Sequence, residues 1–256
     1  MKFLYVVQTE AGLPEVYSPL RDRVVLVSWK EQTPQTTVFA PGSTWTTGRN
    51  AAINHITKTS PDFDYLIFLD DDVQFDGISH AEGFQRFERF LKRKRPAIGL
   101  PRCWDYNTRP HKLRSLPTNI HRQGLQNAHL KTQPVDWFDA CYNAFRRDVF
   151  LDTRLLPYNA QYDDASWYAS QLVLIFAANL FYRNKIIQDN RISIVNTSQR
   201  NEIQRPYPRR VDVFGKVYKD FLVENNISGF EMSSVGFWDR KKAEFREKAG
   251  LPEIVR

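Results

Sequence analysis

Short apolar runs alternate with amphipathic stretches through the first hundred residues. Phe3–Val7 has the pattern of a buried strand, and Val24–Ser28 repeats it. Thr37–Ala40 predicts a third strand, ended by Pro41-Gly42. A helix is predicted from about Thr47, with Ala51, Ala52, Ile53 and Ile56 on its inner face and a break at Ser60-Pro61-Asp62. Tyr65–Leu69 (YLIFL) predicts the central strand. In His80–Lys94 the residues Phe84, Phe87, Phe90 and Leu91 recur at helical spacing, with charge on the opposite face. Pro96 stops that helix, and Ala97–Leu100 predicts a further strand. Buried strands separated by helices imply an α/β fold with a mostly parallel sheet covered on both faces.

Periodicity fails from Pro101 to Pro134, a segment with four prolines and three histidines. A loop of that length inside a compact domain points to function or mobility. Order returns with a strand pattern over Val135–Phe145, a helix over about Ala165–Arg183, and two short strands at Ile186-Ile187 and Ile192–Val195. Two peripheral helices are predicted near Val211–Glu224 and Asp239–Lys248. These elements suggest one continuous domain: a half over 1–101, a second half over 102–199 and a helical extension over 200–256.

No apolar run is long enough to span a bilayer. The longest, Leu172–Phe181, falls far short of the roughly 20 residues required. The N-terminus reads as a strand, not a signal peptide, so a cytoplasmic protein is expected. Cys103 and Cys141 are too few for a disulfide framework and are expected as free thiols. The 256-residue chain carries a net charge of +7. That charge is concentrated: Arg86–Arg147 holds 14 Lys/Arg against four acids, or +10, leaving the rest acidic on balance. Such a block suits nucleic acid, anionic lipid or a phosphorylated substrate, and a solvated helix face plus a loop is the plainer alternative. No helix-turn-helix, zinc-finger or RNP pattern supports nucleic acid.

The chemistry concentrates at Asp70-Asp71-Asp72, directly after the central strand. Ligands of open α/β sheets bind beyond the carboxyl ends of strands. Three adjacent acids repel one another and call for a cation, and an all-oxygen donor set suits Mg²⁺ or Mn²⁺. An acidic surface turn is the structural alternative. One class with Asp-x-Asp after such a strand is the haloacid-dehalogenase-like phosphatases, in which Asp70 would be the nucleophile. Here Gln74 stands where their motif wants Thr or Val, and several strands precede the motif.

The other class fits at three points in order. Thr47-Gly48-Arg49-Asn50-Ala51-Ala52-Ile53, Phe68-Leu69-Asp70-Asp71-Asp72-Val73 and Tyr162-Asp163-Asp164 resemble the Arg-Asn helix start, the Asp-x-Asp element and the acceptor-side acidic element of metal-dependent GT-A fold nucleotide-sugar glycosyltransferases. The resemblance covers about residues 1–199. It implies a Rossmann-like GT-A fold with a helical C-terminal tail, a UDP-sugar or related donor, and Mn²⁺ or Mg²⁺. It implies that Asp72 binds the metal directly and that Asp70 contacts ribose and metal-bound water. It also implies a general base for an inverting reaction, Asp164 before Asp163.

Other residues are placed around that frame. Arg49 stands near the same crevice and could hold the diphosphate, or be a surface arginine. Thr9, Ser28 and Trp29 would frame the base, and Asp71 would line the nucleotide site. Tyr162, Trp167 and Tyr168 could form a sugar-stacking wall, while Arg109, Lys112 and Arg114 could face a phosphorylated acceptor such as a lipid-linked glycan. The basic block would then also allow peripheral contact with the inner face of a membrane. One departure from the family is plain: Asn196-Thr197-Ser198 follows the late strand, where many members supply a metal-binding His.

Overall fold

The computed structural model describes residues 1–105, 130–164, 166, 168–197 and 210–229. Among them a single sheet runs in the order β3-β2-β1-β4-β8-β6-β9-β5, with β7 pairing to β9. The strands are β1 (Phe3–Thr9), β2 (Val24–Ser28), β3 (Val38–Phe39), β4 (Tyr65–Asp70), β5 (Val73–Phe75), β6 (Ile98–Asp105), β7 (Thr132–Pro134), β8 (Tyr142–Arg146) and β9 (Ile186–Asn196). The β3-β2-β1-β4 half is parallel throughout. β8 enters antiparallel between β4 and β6, and β6 and β9 are parallel again. The sheet therefore crosses residue 101 without a break.

Alternation along β4 explains the two-sided core. Leu66 and Phe68 point to one face, and Tyr65, Ile67 and Leu69 to the other. The first face is covered by α1 (Trp45–Thr59), α4 (Tyr168–Tyr182) and α5 (Arg210–Glu224). The second is covered by α2 (His80–Lys94) and by a 3-10 helix, Glu15–Arg23, which periodicity did not predict. The short helix α3 (Arg147–Phe150) follows β8.

Local chemistry fixes the helix ends. Thr44 caps α1: its side chain accepts from the Thr47 backbone, and the Thr47 hydroxyl accepts from the Thr44 backbone. This starts α1 two residues before the predicted Thr47. Ser79 caps α2 in the same way, accepting from Glu82, and Arg95 closes it in the left-handed region. α2 buries Phe84, Phe87, Phe90 and Leu91 as expected, each contributing up to about 1.5–3 kcal/mol. Its charges face solvent, where Arg86 pairs with Glu82. That part of the basic block is therefore the plainer solvated face. α4 is apolar nearly all round because it is sandwiched: Phe176 packs on Tyr218 and Phe221 of α5, with ring centroids 5.3 and 5.7 Å apart.

Two expectations are corrected. Residues 135–141 are buried but irregular, and only Tyr142–Arg146 forms a strand. The two short late strands are one eleven-residue strand, β9. Its polar centre stays extended because Asp189, fully buried, pairs with Arg191 and lies 3.8 Å from Arg93. The predicted helix at 239–248 lies outside the described residues. No helix among the described residues is long and apolar enough to cross a membrane.

Candidate active site

The carboxyl ends of the parallel strands form one edge. Thr9 stands opposite Ser28, and Gln8 opposite Asp70. Ser28 is fully buried, with its hydroxyl 3.0 Å from that of Thr36. Trp29 is half-buried and donates its backbone N–H to the Thr9 carbonyl. The expected base-framing residues are thus gathered at this edge, with the Ser28 hydroxyl occupied internally.

Asp70 ends β4, and Asp71-Asp72 turn the chain into β5. The backbone of this turn is held from several sides. Tyr17, in the 3-10 helix, places its hydroxyl 2.8 Å from the carbonyls of both Asp70 and Val73. The Asp70 N–H donates to the Cys141 carbonyl at 2.8 Å. Thr197 donates its N–H and hydroxyl to the Asp72 carbonyl at 3.2 and 2.7 Å. Thr197 follows β9 directly, so it occupies the stretch where a histidine was looked for.

α1 supplies the side-chain contacts. Trp45 Nε1 and Arg49 donate to Asp70 Oδ1 at 3.1 and 2.6 Å. Arg49 is 1% exposed. It also donates to the Ala140 carbonyl and the Tyr158 hydroxyl, and its guanidinium lies 3.9 Å from the Trp45 ring centre. The guanidinium expected to reach a diphosphate is thus spent on orienting Asp70. Asn50 exchanges two 2.8 Å hydrogen bonds with the backbone of Tyr158, tying α1 to the same loop. A Cβ at Gly48 would fall 2.3 Å from the amide end of the Gln8 side chain, which donates to the Thr44 carbonyl, so a larger residue here would push that flexible amide aside.

Burial pushes the Asp70 carboxyl up to about 7, with Arg49 pulling the other way and Asp72 adding to the rise. Burial and the Asp72 charge push Asp71 up to about 6 against a hydrogen bond from Thr9. Both carboxyls are thus biased toward their protonated form, and carboxylate oxygens are the donor type a hard divalent cation takes.

Asp139 is a carboxylate that sequence patterning missed. It lies in the irregular segment before β8, where burial raises its pKa and Asp72 adds to the rise. Its flanking apolar residues Phe138 and Ala140 disguised it as a strand position. Tyr17 carried no signal either, because a 3-10 helix has no sustained period.

In the pair expected to face an acceptor, Asp163 is a structural junction. It accepts from Thr44, from Thr46 at 2.7 Å and from Ser170 at 3.1 Å. Asp164 beside it is exposed. Just before α4, the Ser166 hydroxyl accepts from the Tyr168 N–H at 3.2 Å. Tyr162 is 7% exposed and donates to Asp220 of α5 at 2.5 Å, so its ring braces the last helix and does not stand open. Trp167, Arg109, Lys112 and Arg114 lie outside the described residues, as do His111, His121 and His129.

No protein-family model matches this chain, and no curated protein sequence matches it. Solved structures do. Residues 1–349 of S. aureus TarS match with a TM-score of 0.53 at 14% identity, over 96% of this chain and 70% of that one. The same protein in complex with UDP matches with a TM-score of 0.50 at 13% identity, over the same shares. A197 from STIV matches at 12% identity over 76% of this chain and 84% of that one, with a TM-score of 0.48. The chain has a GT-A type α/β fold: a mostly parallel central sheet flanked by helices.

Proposed function

We propose that this protein transfers a sugar from a nucleoside-diphosphate donor to a hydroxyl of a glycan or lipid-linked glycan, with inversion. The observation that carries the proposal is the start of α1. Thr44 bonds Asp163 and the next residue, Trp45, bonds Asp70. The acidic turn at the strand ends and the acidic pair before α4 are thereby brought together, as donor and acceptor sites of a transferase must be.

Asp72 and Asp70 would hold a divalent ion, Mn²⁺ or Mg²⁺. When bound, that ion supplies charge neutralisation for the leaving diphosphate. Thr9, Trp29 and Asp71 line the nucleotide edge. Arg49 keeps Asp70 oriented. Asp164 takes the proton from the acceptor hydroxyl, while Asp163 fixes the turn that presents it.

The experiment is a thermal-shift screen of nucleotide sugars with and without Mn²⁺, followed by donor hydrolysis on the hit. A metal-dependent stabilisation by one donor is expected. Asp72→Asn should remove it and lower hydrolysis by about 100-fold or more. Full donor hydrolysis by Asp72→Asn would overturn the assignment.

A further inference from the structure

We infer that Cys103, Cys141 and Asp139 form a second cation site, for a thiophilic divalent ion such as Zn²⁺, behind the aspartate turn. The site differs in chemistry from the all-oxygen turn and does not depend on the transferase reading.

It begins where the β6–β8 ladder ends. β6 and β8 pair at Ile98–Phe145 and Gly99–Ala144. Beyond that point Pro101 has no N–H to donate, and the β6 register against β9 shifts between Pro101 and Arg102. Cys103 and Cys141 face each other across this stretch, each 1% exposed, with their sulfurs 3.7 Å apart and no disulfide between them.

That distance is informative. A bonded pair of sulfurs sits about 2.05 Å apart. Two thiolates on one tetrahedral zinc, each about 2.3 Å from it, are about 3.8 Å apart. The observed spacing suits an S–H···S hydrogen bond between the two thiols, and it would take a shared ion with little movement. A third donor converges on the same point: one carboxylate oxygen of Asp139 and both sulfurs lie within 4.8 Å of one another. Asp139 is fixed for the task, since its Oδ1 accepts the Cys141 N–H at 2.9 Å. It is also the one member of the trio that is not fully buried.

The donor set decides the ion. Two sulfurs and one carboxylate favour zinc over magnesium or manganese. Binding releases the two thiol protons to solvent and leaves a fourth position for water. The site also touches the turn. Cys141 supplies the carbonyl that receives the Asp70 N–H, so an ion held there stiffens the backbone beneath Asp70.

The test uses the full chain, reduced and stripped with a chelator, and titrated with Co²⁺ as a spectroscopic probe and then with Zn²⁺. One equivalent of Co²⁺ should give a thiolate-to-cobalt charge-transfer band that Zn²⁺ bleaches. Cys103→Ser and Cys141→Ser should each abolish the band, and Asp139→Asn should weaken affinity on the order of tenfold or more. Asp72→Asn should leave the band in place. X-ray absorption on the zinc-loaded wild type gives a readout that needs no variant to fold: two sulfur neighbours are expected. No band in the wild type, a band that survives in Cys103→Ser, or zinc with no sulfur neighbour would overturn the site. A Cys103–Cys141 disulfide formed under mild oxidant, with no cobalt band, would also overturn it and mark the pair as redox-active instead.

Discussion

The two acidic regions of this protein are built in opposite ways. Asp70-Asp71-Asp72 terminates a strand buried on both faces, and its backbone is gripped by Tyr17, Cys141 and Thr197. Asp163-Asp164 sits on a turn between loop and helix; Asp163 is tied to three hydroxyls and Asp164 is left exposed. The first arrangement stores charge in a desolvated, rigid place, where a cation gains most. The second divides the labour, one carboxylate holding the turn and the other facing outward. Rigidity is thus concentrated at the strand-end turn, and access is kept at Asp164.

This contrast can be broken most sharply at Asp164. Asp164→Asn should lower sugar transfer by about 100- to 10,000-fold while leaving donor binding unchanged, measured as transfer rate against donor titration. Weakened donor binding would merge the two regions into one. Next in size is Arg49→Met. It strands Asp70 half-desolvated without its partner and should cost about 3–5 kcal/mol in urea unfolding. A cost near zero would mean that Asp70 does not rely on Arg49.

A pH series without metal probes the same desolvation. Asp70, near 7 in the folded chain against 3.8 for an ordinary aspartate, keeps its proton longer when folded, and so does Asp71 near 6. Their stabilisation is complete below about pH 3.8 and is lost as pH rises through 6 and 7. The metal-free melting temperature should therefore carry a downward contribution over that window. It should be missing from Asp71→Asn in part. Mn²⁺ should raise the melting temperature well at pH 8 and little at pH 5, since the cation competes with protons for these oxygens. The smallest effect is expected from Tyr17→Phe, which removes one buried hydroxyl and should cost about 1 kcal/mol with a modest loss of metal affinity.

The legible parts of the sequence were those whose burial shows in the pattern. β1, β2, β4 and α2 were visible because each carries an unbroken apolar run or a clean helical stripe. Asp70–Asp72 stood out because charge directly after such a run is costly without a purpose. What escaped was stabilised by contacts distant in sequence. β9 looked like two strands because Asp189 and Arg191 interrupt its apolar residues, and only their pairing lets the extended chain continue. The internal role of Arg49 was equally invisible, since its partners Ala140 and Tyr158 lie about a hundred residues away.

The sandwiching of α4 reaches beyond the chemistry. A chain ending before α5 would uncover Phe176 and its apolar neighbours along the outer side of α4. Its strand edges, acidic turn and Asp163 junction would all remain. Such a fragment should fail first by sticking to itself, so α5 governs how the protein behaves in a crowd of its own copies.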